Sequence, residues 1–470
     1  MKRISAVYYM LAFISVLIVF TIIFIGCSKD VSSENNELPT KLDEYINAFN
    51  TAYSSHKING SIIISKEGKI VASRSYGMSD FENNIPFTQD TKSLICSTTK
   101  LFTAMAVMQL NENGLLSLDD KVSKYIPEQY NGDDISIRNL LTHTSGIVRD
   151  ITDSGLINPY QNIQKDKLIR LINDSPLIFE PGKSMLYSNA GYQLLACIIE
   201  KVSGISYEEY LDKYIFKIAG MESSGLLFYK DEIENLANGY EYKYNHFIKK
   251  LPYDMSHTYG SGNIYSTSYD MYLFDKALRE EKLIKKETLN KMIHDNTGLG
   301  LNYGLGCYIG KLKEHKWFGH PGNLNSGYFS YYARFLDDDI AVIILLNTTW
   351  IDNSSIMKAI SAIALNHEHI TPYKRKEIKL DEDILNKFTG KYEATDNSLN
   401  YTIDVKIENG CLVAYISDEI IYLTPFSDTK FFDKANEIWE HVFEVDGYGN
   451  IIGYVLRDPV DEIRFMKVEK

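Results

Sequence analysis

Two pairs of strand-like segments stand far apart in this chain, and they restrict most of what it can fold into. Residues 61–65 and 70–76 flank Glu67-Gly68, a pairing typical of a hairpin turn. Residues 326–335 and 340–346 are aromatic or β-branched and flank Leu336-Asp337-Asp338-Asp339. From Ser97 to about Val202 the signals are mostly helical. Strands at both ends with helices between predict an α+β domain whose antiparallel sheet joins the two ends, beside a helical subdomain. A helix over residues 354–365 closes it.

Within the helical part, Leu101, Phe102, Ala104, Met105, Ala106, Val107, Met108 and Leu110 predict a helix ending near Gly114. It is apolar almost all round, so it belongs inside the domain. A second helix, residues 190–202, stops at Ser203-Gly204, and Ser206 caps the next with Glu209 as its capping-box partner. Residues 371–383 are charged, carry Pro372 and read as a linker. Short alternating runs follow at 401–407, 412–416 and 451–456, divided by Asn409-Gly410 and Asp446-Gly447-Tyr448-Gly449. They predict a second domain over residues 384–470, a small antiparallel β-barrel or sandwich.

The N-terminus carries a different signal. Lys2 and Arg3 precede an apolar run, residues 4–25, that ends at Gly26-Cys27. A basic start, an apolar stretch and a small residue before a cut site describe an export signal over residues 1–27. The ending resembles a bacterial lipobox, in which Cys27 is lipidated. The same run is long enough to remain as an uncleaved anchor. Both readings tether the chain to the outer side of the cytoplasmic membrane. Residues 28–38 read as a polar tether, residues 41–52 as a short amphipathic helix, and residues 39–370 as the main domain.

A hydrophobic content of 44% excludes a disordered chain. The net charge of −13, with no basic run to offset it, excludes nucleic acid as a partner. The five cysteines are scattered singly with no C-x-x-C pair, which leaves zinc and thioredoxin-like readings without support.

Three short motifs carry chemistry. Ser97-Thr98-Thr99-Lys100 places a serine and a lysine three apart where a loop meets the apolar helix, so the amine can reach the hydroxyl. The S-x-x-K pattern recurs at Ser54/Lys57, Ser355/Lys358 and Ser427/Lys430, and Ser97 equally suits a plain helix cap. Its setting singles it out. Tyr187-Ser188-Asn189 lies between the turn Phe179-Glu180-Pro181-Gly182 and an apolar helix. A tyrosine there serves as a base only if a neighbouring cation, Lys100, favours the phenolate. Gly319-His320-Pro321-Gly322-Asn323 has glycines that let a backbone approach a ligand, and a proline that confines it to an edge strand or bulge. His320 alone equally suits a structural role.

In order and setting, these motifs resemble the serine β-lactamase and penicillin-binding family, in its class C β-lactamase and D,D-peptidase branch. Leu140-Leu141-Thr142-His143-Thr144-Ser145-Gly146 and Tyr187-Ser188-Asn189-Ala190-Gly191-Tyr192 extend the likeness, which spans about residues 60–364. The tail is similar to the lipocalin-like domain of some members. The resemblance implies that Ser97 attacks a carbonyl to form an acyl-enzyme, with Lys100 and Tyr187 sharing the proton transfers. Asn189 would hold Lys100 and a substrate amide. The N–H groups of Ser97 and of Asn323, just past Gly322, would form the oxyanion hole. His320 replaces a lysine that often binds a substrate carboxylate, and a histidine there is only fractionally charged at neutral pH. Ser-Asp-Asn and Lys-Thr-Gly, the class A set, are absent.

The expected activity is that of an exported serine acyl hydrolase acting on D-amino-acid peptides or amides, β-lactams or esters at the cell envelope. Its substrate would be a small molecule or peptidoglycan-like, with no metal or organic cofactor required. The alternative is a non-catalytic penicillin-binding or envelope-sensing protein.

Overall fold

The computed structural model describes residues 34–53, 56–129, 131–151, 158–228, 233–349, 353–396, 401–417 and 419–468. The expected signal with Cys27, and residues 28–33 of the expected tether, lie outside the described residues. Among the described residues no helix is long and apolar enough to cross a membrane.

The main domain is built on strands β1 (Gly60–Lys66), β2 (Lys69–Tyr76), β3 (Tyr308–Leu312), β4 (His315–Leu324), β5 (Tyr328–Phe335) and β6 (Ile340–Leu346). Its principal helices are α1 (Glu34–Ala52), α2 (Thr99–Glu112), α3 (Asn189–Ser203), α4 (Ser268–Arg279) and α5 (Asn353–Ala364). The tether was expected to run to residue 38. Instead α1 begins at Glu34, because Leu42, Tyr45, Ile46 and Phe49 recur at helical spacing and pack under the sheet.

The sheet is antiparallel with order β3-β4-β5-β6-β1-β2, so the two ends of the domain meet where β1 pairs β6. Glu67 and Gly68 both have positive φ, 53° and 71°, as a two-residue hairpin that follows the strand twist requires. The sequence Ile-Ala-Val-Ile-Ile-Leu-Leu of β6 is apolar at every position because both sheet faces are covered. Ile343 and Leu345 join the core shared with α2, α3 and α4. Val342, Ile344 and Leu346 join the one shared with α1 and α5. Each such buried side chain contributes on the order of 2 kcal/mol.

A buried ion pair fastens the sheet to α4. Asp275 is fully buried and accepts from Arg334 Nη1 at 2.9 Å through each oxygen, and from the Tyr332 hydroxyl at 2.8 Å. Removing only the cation would strand a buried carboxylate. Arg334→Ala should therefore cost about 3–5 kcal/mol, read as a lower urea midpoint. A loss under about 1 kcal/mol would show that water reaches Asp275.

The C-terminal part is a closed eight-stranded antiparallel barrel: β7 (Gly390–Ala394), β8 (Thr402–Glu408), β9 (Cys411–Ile416), β10 (Glu419–Pro425), β11 (Lys430–Asp433), β12 (Glu440–Val445), β13 (Ile451–Arg457) and β14 (Glu462–Lys467). Its inward-facing residues, Tyr392, Phe431, Phe443, Tyr454 and Phe465 among them, fill the interior. Leu385 and Phe388 of α6 (Glu382–Phe388) pack into the same core, so the expected linker to residue 383 already enters this helix. The rest of that segment is docked on the barrel. Arg375 is buried, pairs with Glu440 at 3.3 Å and lies over the rings of Tyr373, Phe426 and Phe432. Lys358 of α5 reaches Asp458 at 2.6 Å, a further tie between barrel and main domain.

Candidate active site

Ser97 sits in a single 3-10 turn, Cys96–Thr98, that runs directly into α2. The preceding Cys96 is buried with φ 49°, a left-handed conformation that costs a non-glycine residue about 1 kcal/mol or more. Surrounding bonds hold the turn in place. Ile95 N–H donates to Ile264 O at 3.0 Å, and Thr98 Oγ1 donates to His320 O at 3.0 Å. Helical spacing then brings Lys100 back over Ser97, with Nζ 3.3 Å from Oγ.

Lys100 is fully buried. Its amine donates to Asn189 Oδ1 at 2.6 Å and to Ser261 O at 2.7 Å. Burial pulls its pKa down to about 7; Asp150 opposes the shift and Arg149 adds to it. A neutral amine has two N–H groups and one lone pair. Asn189 and Ser261 take the two N–H groups, which leaves the lone pair for the Ser97 hydroxyl.

Tyr187 stacks below the same amine, with Nζ 4.8 Å from its ring centroid. Tyr187 was expected to serve as a base only if Lys100 favoured its phenolate. Burial instead pushes the phenol well above its ordinary value, against a smaller opposite pull from a hydrogen bond with Ser97. Desolvation penalises both charged forms, so the phenol stays neutral and the amine becomes neutral above a pH of about 7.

Asn189 was expected to hold Lys100 and a substrate amide. Its oxygen does hold Lys100, while its nitrogen donates to Asp150 Oδ1 at 2.7 Å. The carboxylate only accepts, which fixes the orientation of the amide.

Strand β4 forms the opposite wall. Its pairing with β3 stops at Gly319, so from His320 to Leu324 it has a partner only on the β5 side. Pro321 therefore lies on a sheet edge. A β-carbon on Gly322 would lie 2.5 Å from Ile95 O and 2.8 Å from Ser97 N, so only glycine lets this edge approach the Ser97 turn. Asn323 follows at once, opposite Phe329 of β5.

His320 departs from the expectation of a fractionally charged imidazole. It is buried, and burial followed by repulsion from Lys100 lowers its pKa to about 3. It closes a chain of hydrogen bonds whose directions are all determined. Ser188 N–H donates to His143 Nδ1 at 3.0 Å, so His143 carries its proton on Nε2 and gives it to the Tyr303 hydroxyl at 3.0 Å. Tyr303 donates to His320 Nε2 at 3.3 Å, and His320 Nδ1 donates to Pro321 O. This chain links the segments of His143, Ser188 and His320 behind Tyr187, whose ring is 4.3 Å from that of His143.

Sequence reasoning gave no role to His143, Tyr303, Ser261, Arg149 or Asp150. His143 lies in a quoted motif, but the others are brought in by loops whose sequence carries no chemical signature. Arg149 stands at the rim, 58% exposed, with its guanidinium 5.5 Å from the Tyr187 ring centroid.

Residues 42–356 match the family model described as Beta-lactamase, and the chain belongs to that family of serine hydrolases. The Bacillus subtilis (strain 168) protein PbpX is 36% identical over 261 residues, 55% of this chain and 64% of that protein. The teichoic acid D-alanine hydrolase of Staphylococcus aureus is 28% identical over 325 residues, 68% of this chain and 76% of that one. Among solved structures, the octameric penicillin-binding protein homologue from Pyrococcus abyssi superposes with a TM-score of 0.62 at 26% identity. It covers 92% of this chain and 99% of its own.

Proposed function

We propose that this chain hydrolyses D-alanyl esters or D-amino-acid amides at the cell envelope through an acyl-enzyme on Ser97. The carrying observation is the Lys100 amine, fully buried, held by Asn189 Oδ1 and Ser261 O and 3.3 Å from Ser97 Oγ, so that its neutral form has a lone pair to offer the hydroxyl. The Ser97 hydroxyl passes its proton to Lys100 Nζ while Oγ attacks the carbonyl carbon. The N–H groups of Ser97 and Asn323 receive the developing oxyanion. Tyr187, protonated throughout the working pH range, hands its proton to the leaving oxygen or nitrogen and recovers one from Lys100. A water then attacks the acyl carbon in the same manner and releases the acid.

The substrate class rests on two supports. An uncharged His320 offers no ion pair to a free carboxylate, which favours an internal ester or amide over a C-terminal peptide. The relative acting on D-alanine of teichoic acid matches across 68% of this chain. An envelope location agrees with the basic, apolar, Gly26-Cys27 start of the sequence.

The test is turnover of a D-alanyl ester, a D-alanine anilide and a chromogenic penicillin, with intact mass followed over time. The ester should turn over fastest, through a transient adduct on Ser97. A lasting penicillin adduct with no ester turnover would replace this reading with a penicillin-binding one. A folded chain that gives neither adduct nor turnover would remove it.

A further inference from the structure

Glu314, His315 and His367 bring one carboxylate oxygen and two imidazole nitrogens within 4.8 Å of one another. The two-residue turn Lys313-Glu314 ends β3 and delivers His315 as the first residue of β4. His367 lies just past α5, its N–H bonded to Ala362 O at 2.8 Å. The fold thus joins positions 52 residues apart.

The proton positions here also follow from the partners. His315 Nδ1 lies 2.7 Å from Asp338 Oδ2. A carboxylate only accepts, so the His315 proton sits on Nδ1 and its Nε2 lone pair faces outward. That lone pair accepts from His367 Nε2 at 2.7 Å, and the proton moves to His367 Nδ1 when a metal takes its place. Glu314 Oε1 completes the triangle, 3.4 Å from the first nitrogen and 3.7 Å from the second. A histidine whose far nitrogen donates to a carboxylate is the arrangement that orients metal-bound imidazoles and makes them better ligands.

We propose that His315 Nε2, His367 Nε2 and Glu314 Oε1 bind a divalent transition-metal ion of the zinc type, with Asp338 orienting His315. Two imidazoles and a carboxylate suit zinc and its neighbours, whereas calcium and magnesium prefer all-oxygen sets. Tetrahedral zinc places two nitrogen ligands roughly 3.3 Å apart, so the two rings must part slightly. His367 can give way: it lies beyond the helix and is 29% exposed. The Glu314 side is open to solvent at 73% exposure, leaving room for water as a fourth ligand.

The site is not the hydrolytic centre, since Asn323 lies eight residues further along β4, about 26 Å of extended strand. The ion would instead clamp the β3–β4 turn to the chain leading into the barrel. Lys313 of the same turn already reaches the barrel through Asp461 at 2.9 Å. The strand that walls the Ser97 site is thereby braced against the C-terminal part.

The test uses the untagged full-length chain stripped of metal. Zinc titration should show one ion per chain and a raised Tm, and cobalt should give the visible absorption of a tetrahedral site. His367→Ala should abolish both, and Asp338→Asn should weaken zinc binding about tenfold. Because His367 lies outside the sheet, its variant should retain ester turnover, which serves as the folding control. No zinc uptake by the wild type, or unchanged affinity in His367→Ala, would overturn the proposal.

Discussion

Ser97→Ala is expected to lower D-alanyl ester turnover by at least about a thousandfold and to leave no acyl adduct by intact mass. The substitution removes one oxygen from a half-buried position and keeps the backbone of the 3-10 turn, which is held by Ile95, Thr98 and His320 rather than by the serine side chain. Stability should therefore change by less than about 1 kcal/mol. This separates chemical loss from unfolding. If turnover persisted in a folded Ser97→Ala chain, the hydrolysis would not depend on Ser97 and the proposed mechanism would fall.

Lys100→Met should have an effect of similar size, and the pH profile identifies its cause. With its pKa lowered to about 7 by burial, the amine is protonated below that pH and cannot take the Ser97 proton. In the wild type, kcat/KM should rise tenfold per pH unit on the acid side and level off above about 7. The neighbouring histidines do not supply this limb. His320 is lowered to about 3, and His143 falls well below its ordinary value. Tyr187 is raised too far to add a falling limb in the working range. Lys100→Arg should not restore activity, since a guanidinium stays protonated. An acid limb retained in the residual activity of Lys100→Met would assign the titration to another group and sink Lys100 as the base.

Burial is the largest cause of neutrality at this centre. Lys100, Tyr187, His143, Tyr303 and His320 are packed against one another with little water, so each is pushed toward its uncharged form. The hydrogen bonds then hold specific protons in place: on Nε2 of His143, on the Tyr303 oxygen, on Nδ1 of His320. This fixes the environment of Tyr187, and in the proposed mechanism Lys100 and Ser97 are the pair that exchanges a proton at neutral pH.

Much of the fold was legible in the sequence wherever a local pattern had a local cause. The hairpin at Glu67-Gly68, the capping box of Ser206 and Glu209, the helix stop at Gly204 and the turn at Asn409-Gly410 each depend on residues within a few positions. The β-branched run at 340–346 likewise announced the strand β6. The start of α1 and the docked state of Arg375 were not legible, because polar residues such as those of 34–38 and 371–380 carry no periodicity until a partner surface exists.

By itself, the sequence determined the α+β architecture, the antiparallel β domain that follows and the pairing of Ser97 with Lys100, because helical spacing brings residues three apart onto one face. Only the tertiary structure decided which protonation states these groups hold, since desolvation depends on what packs around them: Ser261, Asp150 and Tyr303 arrive from distant loops. The same is true of His315 and His367, whose nitrogens meet only because the β3–β4 turn and the end of α5 converge beside the barrel.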